Sequence, residues 1–498
     1  MLLVALAVGL TSAQAPLETS VAGEAPIVEP RLPGPGDELQ LLGLFQTRIT
    51  TTSVETTSPY LDGQVIGTLG GTNGTVVAGN RGTFAEQRAV GFGTWAPHVL
   101  DGRASLTAAF EIDFVLGDQS YGVGGNTGGG FGADQVNLQT RRLHANFVGG
   151  AAGWDLTAVL GLQFLSDTVY DPRTAHPDDL FRTGGGLKIW GSEGAGATVF
   201  GRYDGPSGET LRARLGAYTL VEQGVSLDDD ISLVVGDAQW VPDAGWRLGG
   251  HVWWLRDRSE GQGTVFGTGP YSALSGLQGG PQLAAAGTVG SDLVWLAVDG
   301  GYNHRLDRGP LGFSALALAN LGRLYVDGAE DPAVRGLLVS GDVRYRYAPG
   351  SGSVVRAEAL WSSGDADGGD YGGVITGNSY GFVGASWTTH GSVLLLPDPD
   401  AINRQVAVAY DVSGGGAGLL ALAGGVGFDI QPDRITVSGN VTHARLGTGE
   451  ALGTELTGRL QWQPLPLCRV GLTGAAVLGS AFPSVPWTAS ASVNWVLF

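Results

Sequence analysis

The chain holds a single cysteine, Cys468, and a single lysine, Lys188. One thiol excludes an intrachain disulfide and any cluster of thiolate metal ligands. Charged residues are 15% of the sequence, below the usual quarter. After the first few residues, no low-charge apolar run reaches the roughly 20 residues that a membrane-crossing helix needs, which argues against a helical membrane protein. Basic side chains are outnumbered, 28 Lys and Arg against 47 Asp and Glu. The formal net charge of −19 argues against a nucleic-acid partner. The seven histidines show no H-E-x-x-H or other ligand spacing. What is abundant is glycine, 85 residues of 498. A glycine-rich chain with few helix-starting patterns leans toward β structure with many turns.

The stretch "SGDVRYRYAP" shows the dominant pattern. Ser340, Asp342, Arg344 and Arg346 alternate with Gly341, Val343, Tyr345 and Tyr347. In a strand these two sets lie on opposite faces. The pattern recurs. In "WDLTAVLGLQF" Trp154, Leu156, Leu160 and Leu162 alternate with Asp155, Thr157, Gly161 and Gln163. In "SLTAAFEIDF" Leu106, Phe110 and Ile112 oppose Thr107, Glu111 and Asp113. "ELTGRLQWQ", "VVRAEALW", "TLRARLGAY" and "ITVSGNVT" behave alike. Soluble strands are usually about 5 or 6 residues long, whereas these runs approach or exceed ten. Long strands, apolar on one face and polar on the other, are the signature of a transmembrane β-barrel.

The connections agree. Tight turns such as "VGGAAG" (148–153), "VPDAG" (241–245) and "QPDR" (431–434) alternate with long Gly- and Asp-rich loops, 53–83, 118–135, 167–194, 257–290 and 364–416. Trp95, Trp154, Trp240, Trp246 and Trp462 all flank the tight turns, which places an aromatic girdle at one membrane interface. The expected fold class is therefore all-β: a transmembrane antiparallel barrel of about 18 strands (16–20), with short periplasmic turns and long extracellular loops. The expected strands are 40–52, 84–95, 103–117, 136–148, 154–166, 195–204, 209–222, 229–241, 245–256, 292–304, 311–323, 335–347, 353–363, 417–430, 433–446, 453–464, 467–479 and 487–498. A further pair could come from 184–191 and 403–412. "MLLVALAVGLTSAQAP" reads as a signal peptide over 1–13, with cleavage after Ala15 as the alternative to Ala13. Residues 14–39 then form a periplasmic linker, 40–498 the barrel, and the location is the bacterial outer membrane.

The polar face supplies the candidate site. Arg88, Arg141, Arg212, Arg214, Arg247, Arg344, Arg346, Arg356 and Arg459 are expected to face Glu86, Glu111, Asp113, Asp155, Asp299, Asp342, Glu358 and Glu455 across a lumen wide enough for water. Rings of Arg favour anionic solutes, and acidic rings favour cations. Other motifs carry less. "GNSYG" around Ser379 matches G-x-S-x-G but lacks the strand–turn–helix context of a nucleophile. "GNTGGGFG" (125–132) has no P-loop lysine after it. "DADGGD" offers Asp365, Asp367 and Asp370 as a weak Ca²⁺ candidate without the glutamate of an EF-hand. No other cofactor and no catalytic group is expected.

Across "RGTFAEQRAVGFGTW" (81–95), "FEIDFVLGDQSYG" (110–122), "QVNLQTRRLHANF" (135–147) and "VGDAQWVPDAGWRLGGHVWWLRDRS" (235–259) the chain resembles the alginate-export family of outer-membrane barrels. The resemblance spans most of residues 40–498. It implies an eighteen-stranded monomer that passes an anionic polysaccharide through an Arg-lined constriction, with Arg88, Arg141, Arg212, Arg344 and Arg346 as lining. The terminal Phe498 resembles the assembly signal read by the barrel-assembly machinery. The expected function is a porin-like channel for hydrophilic solutes, anionic ones among them, or polysaccharide. The alternatives are a non-conducting display barrel or an outer-membrane hydrolase. The expected partners are outer-membrane lipid and lipopolysaccharide, the solute, and the assembly machinery.

Overall fold

The computed structural model describes residues 38–53, 82–115, 137–166, 191–222, 229–242, 245–260, 277–278, 288–303, 306, 308–348, 353–365, 370–377, 391–396, 416–432, 434–465, 467–479 and 484–497. The expected signal peptide and most of the linker lie outside the described residues, as do 184–190, Ser379, 403–412 and Phe498. The strands are β1 (Leu39–Thr52), β2 (Gly82–Trp95), β3 (Ala104–Val115), β4 (Asn137–Ala151), β5 (Trp154–Ser166), β6 (Gly191–Asp204), β7 (Thr210–Val221), β8 (Ile231–Val241), β9 (Trp246–Asp257) and the two-residue β10 (Leu277–Gln278). They continue with β11 (Thr288–Tyr302), β12 (Leu311–Val326), β13 (Ala333–Arg346), β14 (Val354–Ser362), the two-residue β15 (Thr376–Gly377), β16 (Leu419–Gln431), β17 (Ile435–Leu446), β18 (Ala451–Leu465), β19 (Cys468–Leu478) and β20 (Trp487–Leu497).

Eighteen of these strands form one antiparallel sheet. Each pairs with its neighbour along the chain, and β1 pairs with β20 through Gly43↔Leu497 to Thr52↔Thr488. The sheet is thus closed, and β10 pairs only with β15. Closure leaves no edge strand, so each barrel strand has a hydrogen-bonding neighbour on both sides. The eighteen segments expected from alternation are the eighteen barrel strands, with small differences at their ends. For example, β6 starts at Gly191 rather than 195, and β11 at Thr288 rather than 292.

The apolar set faces outward. Leu160 is 59% exposed, Leu215 66% and Val298 63%, with Val343 and Tyr345 on the same outer surface. The short-turn end carries the girdle: Trp95, Trp240, Trp246, Trp462 and Trp495 are exposed there. Its rings pack on one another, Trp246 on Tyr302 at 5.0 Å and Trp154 on Tyr203 at 5.7 Å between centroids. The turn between β4 and β5 is only Ala152-Gly153, with φ of 51° and 84°. Positive φ at both positions is what a two-residue hairpin needs to match the strand twist. A side chain at 153 would also meet the Tyr203 ring at 3.3 Å.

The inner face is not uniformly polar, and here the expectation needs correction. In the long-loop half, Ile231, Leu233 and Val235 of β8, Trp253 and Leu255 of β9, and Leu293 and Trp295 of β11 all point inward and are buried. They share one core with Tyr371, Val374, Ile375 and Val393 to Leu396, residues of the long connection between β14 and β16. That connection returns into the barrel. The Trp295 indole donates to the Ile375 carbonyl at 2.8 Å, and the Ile375 amide donates to the Asn320 side chain at 3.2 Å. Apolar wall residues are tolerated because the inserted segment, not water, lies against them. A second inner apolar patch, Leu42, Leu44, Val90, Phe92 and Val496, lies near the short-turn ends of β1, β2 and β20.

The lipid-facing belt makes a depth-dependent prediction. Leu160→Arg, in the middle of β5, should destabilise the folded barrel by about 2–4 kcal/mol, whereas Ile430→Arg, beside the short turn after β16, should cost about 0–1 kcal/mol. Urea unfolding in lipid vesicles measures both.

Candidate functional site

The inner wall carries three groups of charged side chains. The first is on β13 and β14. Register places Asp342 opposite Glu358 and Arg344 opposite Arg356. Like charges therefore stand side by side across the ladder, an arrangement that costs stability by itself. Each is offset along its own strand by the opposite sign. Arg344 Nε is 3.2 Å from Asp342 Oδ2, and Arg356 is 3.7 Å from Glu358 Oε1. The Ser314 hydroxyl donates to Asp342 from β12. On the other side, β16 sets Ala423 against Glu358 and Gly425 against Arg356. Arg356 and Glu358 thus border the small residues of β16, and the Asn440 side chain of β17 lies over Gly425.

The second group joins β7, β8, β9 and β11. Asp237 is at its centre, with its side chain fully buried. It accepts from Arg214 Nε at 2.6 Å and from the Trp253 indole at 2.8 Å, and it pairs with His251 Nδ1 at 2.6 Å. The Arg214 guanidinium also lies over the Trp253 ring, 5.3 Å from its centroid. The other nitrogen of His251 is 3.0 Å from Asp299 Oδ1, and Arg247 is 3.0 Å from Asp299 Oδ2. Gly249 makes this crossing possible, since a Cβ there would sit 1.8 Å from Asp299 Oδ1. Arg212 donates to the Gln239 side chain at 3.2 Å on the same wall.

The third group is on β1, β2 and β4. Arg48 pairs in register with Glu86, and Arg88 with Gln46; all but Gln46 are buried. On β4, Arg142, His144 and Asn146 face inward, and Asn146 donates to Ser105 and Thr107 at 3.1 and 3.0 Å.

The expected lining residues distribute as follows. Arg88, Arg214, Arg344, Arg459 and Glu358 are buried in the inner wall, and Arg212, Arg346, Arg356 and Asp342 are partly exposed there. Arg346 sits at the short-turn rim, where it donates to the Leu306 carbonyl at 2.7 Å and ties down the turn between β11 and β12. Glu111, Asp113 and Arg141 have side chains outside the described residues; register sets Asp113 opposite Arg88. A register shift after Ala109 leaves Arg141 without a partner position on β3, and Arg142 takes the inward place. Alternation alone missed Arg142 because a bulge reverses the parity of everything beyond it. It also missed Asp237 and Trp253, whose inner faces also carry Leu233, Val235 and Leu255 and so read as apolar.

The weak Ca²⁺ candidate is engaged otherwise at two of its positions. Asp370 lies 3.3 Å from the Arg335 guanidinium, and Asp365 accepts from the Gly372 amide at 3.4 Å. Asp367 is outside the described residues. Among the described residues, no group of three or more His, Cys, Asp or Glu could hold a metal ion.

A closed eighteen-stranded barrel with an apolar belt, an aromatic girdle and a charged inner wall has the build of an outer-membrane β-barrel. The chain is similar to solved structures. Over 94% of this chain and 100% of its own, OccK1 (OpdK) of Pseudomonas aeruginosa is similar with a TM-score of 0.50 at 11% identity. A BenF-like porin from Pseudomonas fluorescens Pf-5 gives 0.49 at 10% identity, over 93% of this chain and 100% of that one. No family model matches the chain, and no curated protein matches it.

The Asp237 network makes the prediction for this wall. Asp237→Ala leaves Arg214 and His251 without their shared carboxylate and should destabilise the barrel by about 3–5 kcal/mol. Unfolding followed by tryptophan fluorescence measures it, and a loss below about 1 kcal/mol would remove the network from the account of this wall.

Proposed function

We propose that the protein is an outer-membrane channel for passive passage of hydrophilic solutes, with anionic solutes favoured. The observation that carries this reading is the β13–β14 panel, where Arg344 and Arg356 stand side by side on the inner wall beside the small residues of β16. An anion moving along that floor meets two guanidinium groups held by the wall. Arg48, Arg88, Arg142 and Arg459 repeat the same charge on other inner strands. Part of the acidic excess of the chain lies away from the panel. Asp101, Asp204, Glu260, Asp327 and Glu330 are exposed at strand ends and in turns, outside the lumen.

Small solutes fit this reading better than a polymer. The inward segments around 371–375 and 391–396 occupy lumen cross-section that a polysaccharide chain would need. The acidic polysaccharide implied by resemblance to alginate-export barrels has the right charge and is the second reading. A non-conducting display barrel is the alternative if those segments seal the lumen. No catalytic step and no cofactor enters the proposal.

The proposed partners are the solute, the barrel-assembly machinery and the phosphate-bearing glycolipid of the outer leaflet, with the protein acting as a monomer. Arg256, Arg258, Arg323 and Arg335 support the lipid partner. They cluster at the long-loop ends of β9, β12 and β13, and register places Asp292 between Arg256 and Arg323.

Current through the purified protein in a planar bilayer under a salt gradient tests the reading. The reversal potential should report anion preference, and Arg344→Gln with Arg356→Gln should move it toward zero. Cation preference, unchanged by those substitutions, would refute the role given to the panel.

A further inference from the structure

We infer that Glu455 sets the bore of the channel, because its buried carboxylate latches segment 391–396 against the inner wall; this rests on the channel reading above. Glu455 is on β18, near its long-loop end, and is fully buried. Both of its oxygens are taken up. Oε1 accepts from the Val393 amide at 2.8 Å and from the Thr457 hydroxyl at 2.5 Å. Oε2 accepts from the Ser392 hydroxyl at 2.7 Å, the Leu394 amide at 3.2 Å and the Leu395 amide at 2.6 Å. Ser392 Oγ in turn accepts from the Leu396 amide at 3.0 Å, which closes the bend on itself.

Three successive backbone N–H groups converging on one point form a concavity that selects an anion. Here the wall supplies the anion and the inserted segment supplies the concavity. Apolar packing alone would hold Val393 to Leu396 in the core without fixing their position, because the hydrophobic effect has no direction. The carboxylate is directional. It accepts from five donors at once, which requires two oxygens with lone pairs and no hydrogen of their own. Glutamine at this position has one such oxygen, and its NH₂ group would be turned toward N–H donors. Without the carboxylate, the amides of 393–395 would be buried with no acceptor, and the segment gains by moving to water.

The position of the segment makes the latch matter for passage. Gly391 passes so close to β17 that a Cβ there would sit 2.3 Å from Asn440 Cγ. Asn440 faces the lumen next to Gly425, in the same small-residue floor that borders Arg356. The latched segment therefore crosses the inner wall beside the charged panel, and its release would widen the route past that panel.

Two measurements on the full-length folded protein test this, with Glu455→Gln, Glu455→Ala and the milder Ser392→Ala as variants and heat-modifiable migration as the check on folding. Hydrogen exchange read by mass spectrometry over 391–396 should quicken by at least about tenfold in the Glu455 variants, and less in Ser392→Ala, while the strands stay protected. Single-channel conductance should rise roughly twofold or more, together with the size limit for neutral oligosaccharides in vesicle swelling. Unchanged exchange in the folded variants would overturn the latch. Faster exchange with the conductance and size limit of the wild type would overturn its control of the bore. Faster exchange with no current from any form, wild type included, would refute the channel reading and the bore assignment together. If the Glu455 variants fail to fold, the Ser392→Ala protein is read by the same two criteria.

Discussion

Everything in this structure depends on backbone hydrogen bonds that have nowhere else to go. Inside a bilayer an unpaired N–H or C=O costs several kcal/mol, so a strand wall must close. The β1–β20 ladder is where it closes. Closure then assigns each residue to lipid or to the interior by parity alone, and it leaves a space whose contents the outer face does not determine. The apolar belt of Leu160, Leu215 and Val298 is one consequence. The other is that interior charge has to be neutralised locally, because the wall offers little water.

The interior meets that demand in two ways. On β7, β8 and β9 it buries Asp237 with Arg214, His251 and Trp253, so that the carboxylate is satisfied from three directions. Such a network fixes side chains in place and leaves little charge for a passing solute. On β13 and β14 like charges stand in register. Arg344 and Arg356 are set beside each other, compensated from the next row by Asp342 and Glu358, and β16 sets Gly425 opposite Arg356 and Ala423 opposite Glu358. The contrast between the two panels is the reason for placing selectivity at the second. Glu455 adds a third use of buried charge, to hold chain rather than solute.

The wall was legible in the sequence because lipid enforces a period of two over each strand. "SGDVRYRYAP" contains the whole rule, and tryptophans beside tight turns located one interface. Parity failed where the register shifts, so Arg141 was expected where Arg142 points inward. The filled half of the interior was not legible. Leu233, Trp253 and Trp295 look outward-facing to a reading that assigns apolar residues to lipid. Their partners are more than 75 residues away in a connection that reads as Gly- and Asp-rich loop, Ile375 for Trp295 being one. The run Val393 to Leu396 was the available signal, four apolar residues in a polar loop. Glu455 was expected to face inward, but three of its five partners are backbone amides, which leave no trace in a sequence.

The central claim is that solutes move through the lumen past this inner wall. Thiol modification under current tests it most directly. In a Cys468→Ser background, Ser438→Cys places a thiol on the inner face of β17, opposite Arg459. Val441→Cys places one on the lipid face of the same strand. A charged, water-soluble thiol reagent should lower the single-channel current in discrete steps for the first protein and leave the second unchanged. An unaltered current from Ser438→Cys protein shown by mass to be fully labelled would contradict the account.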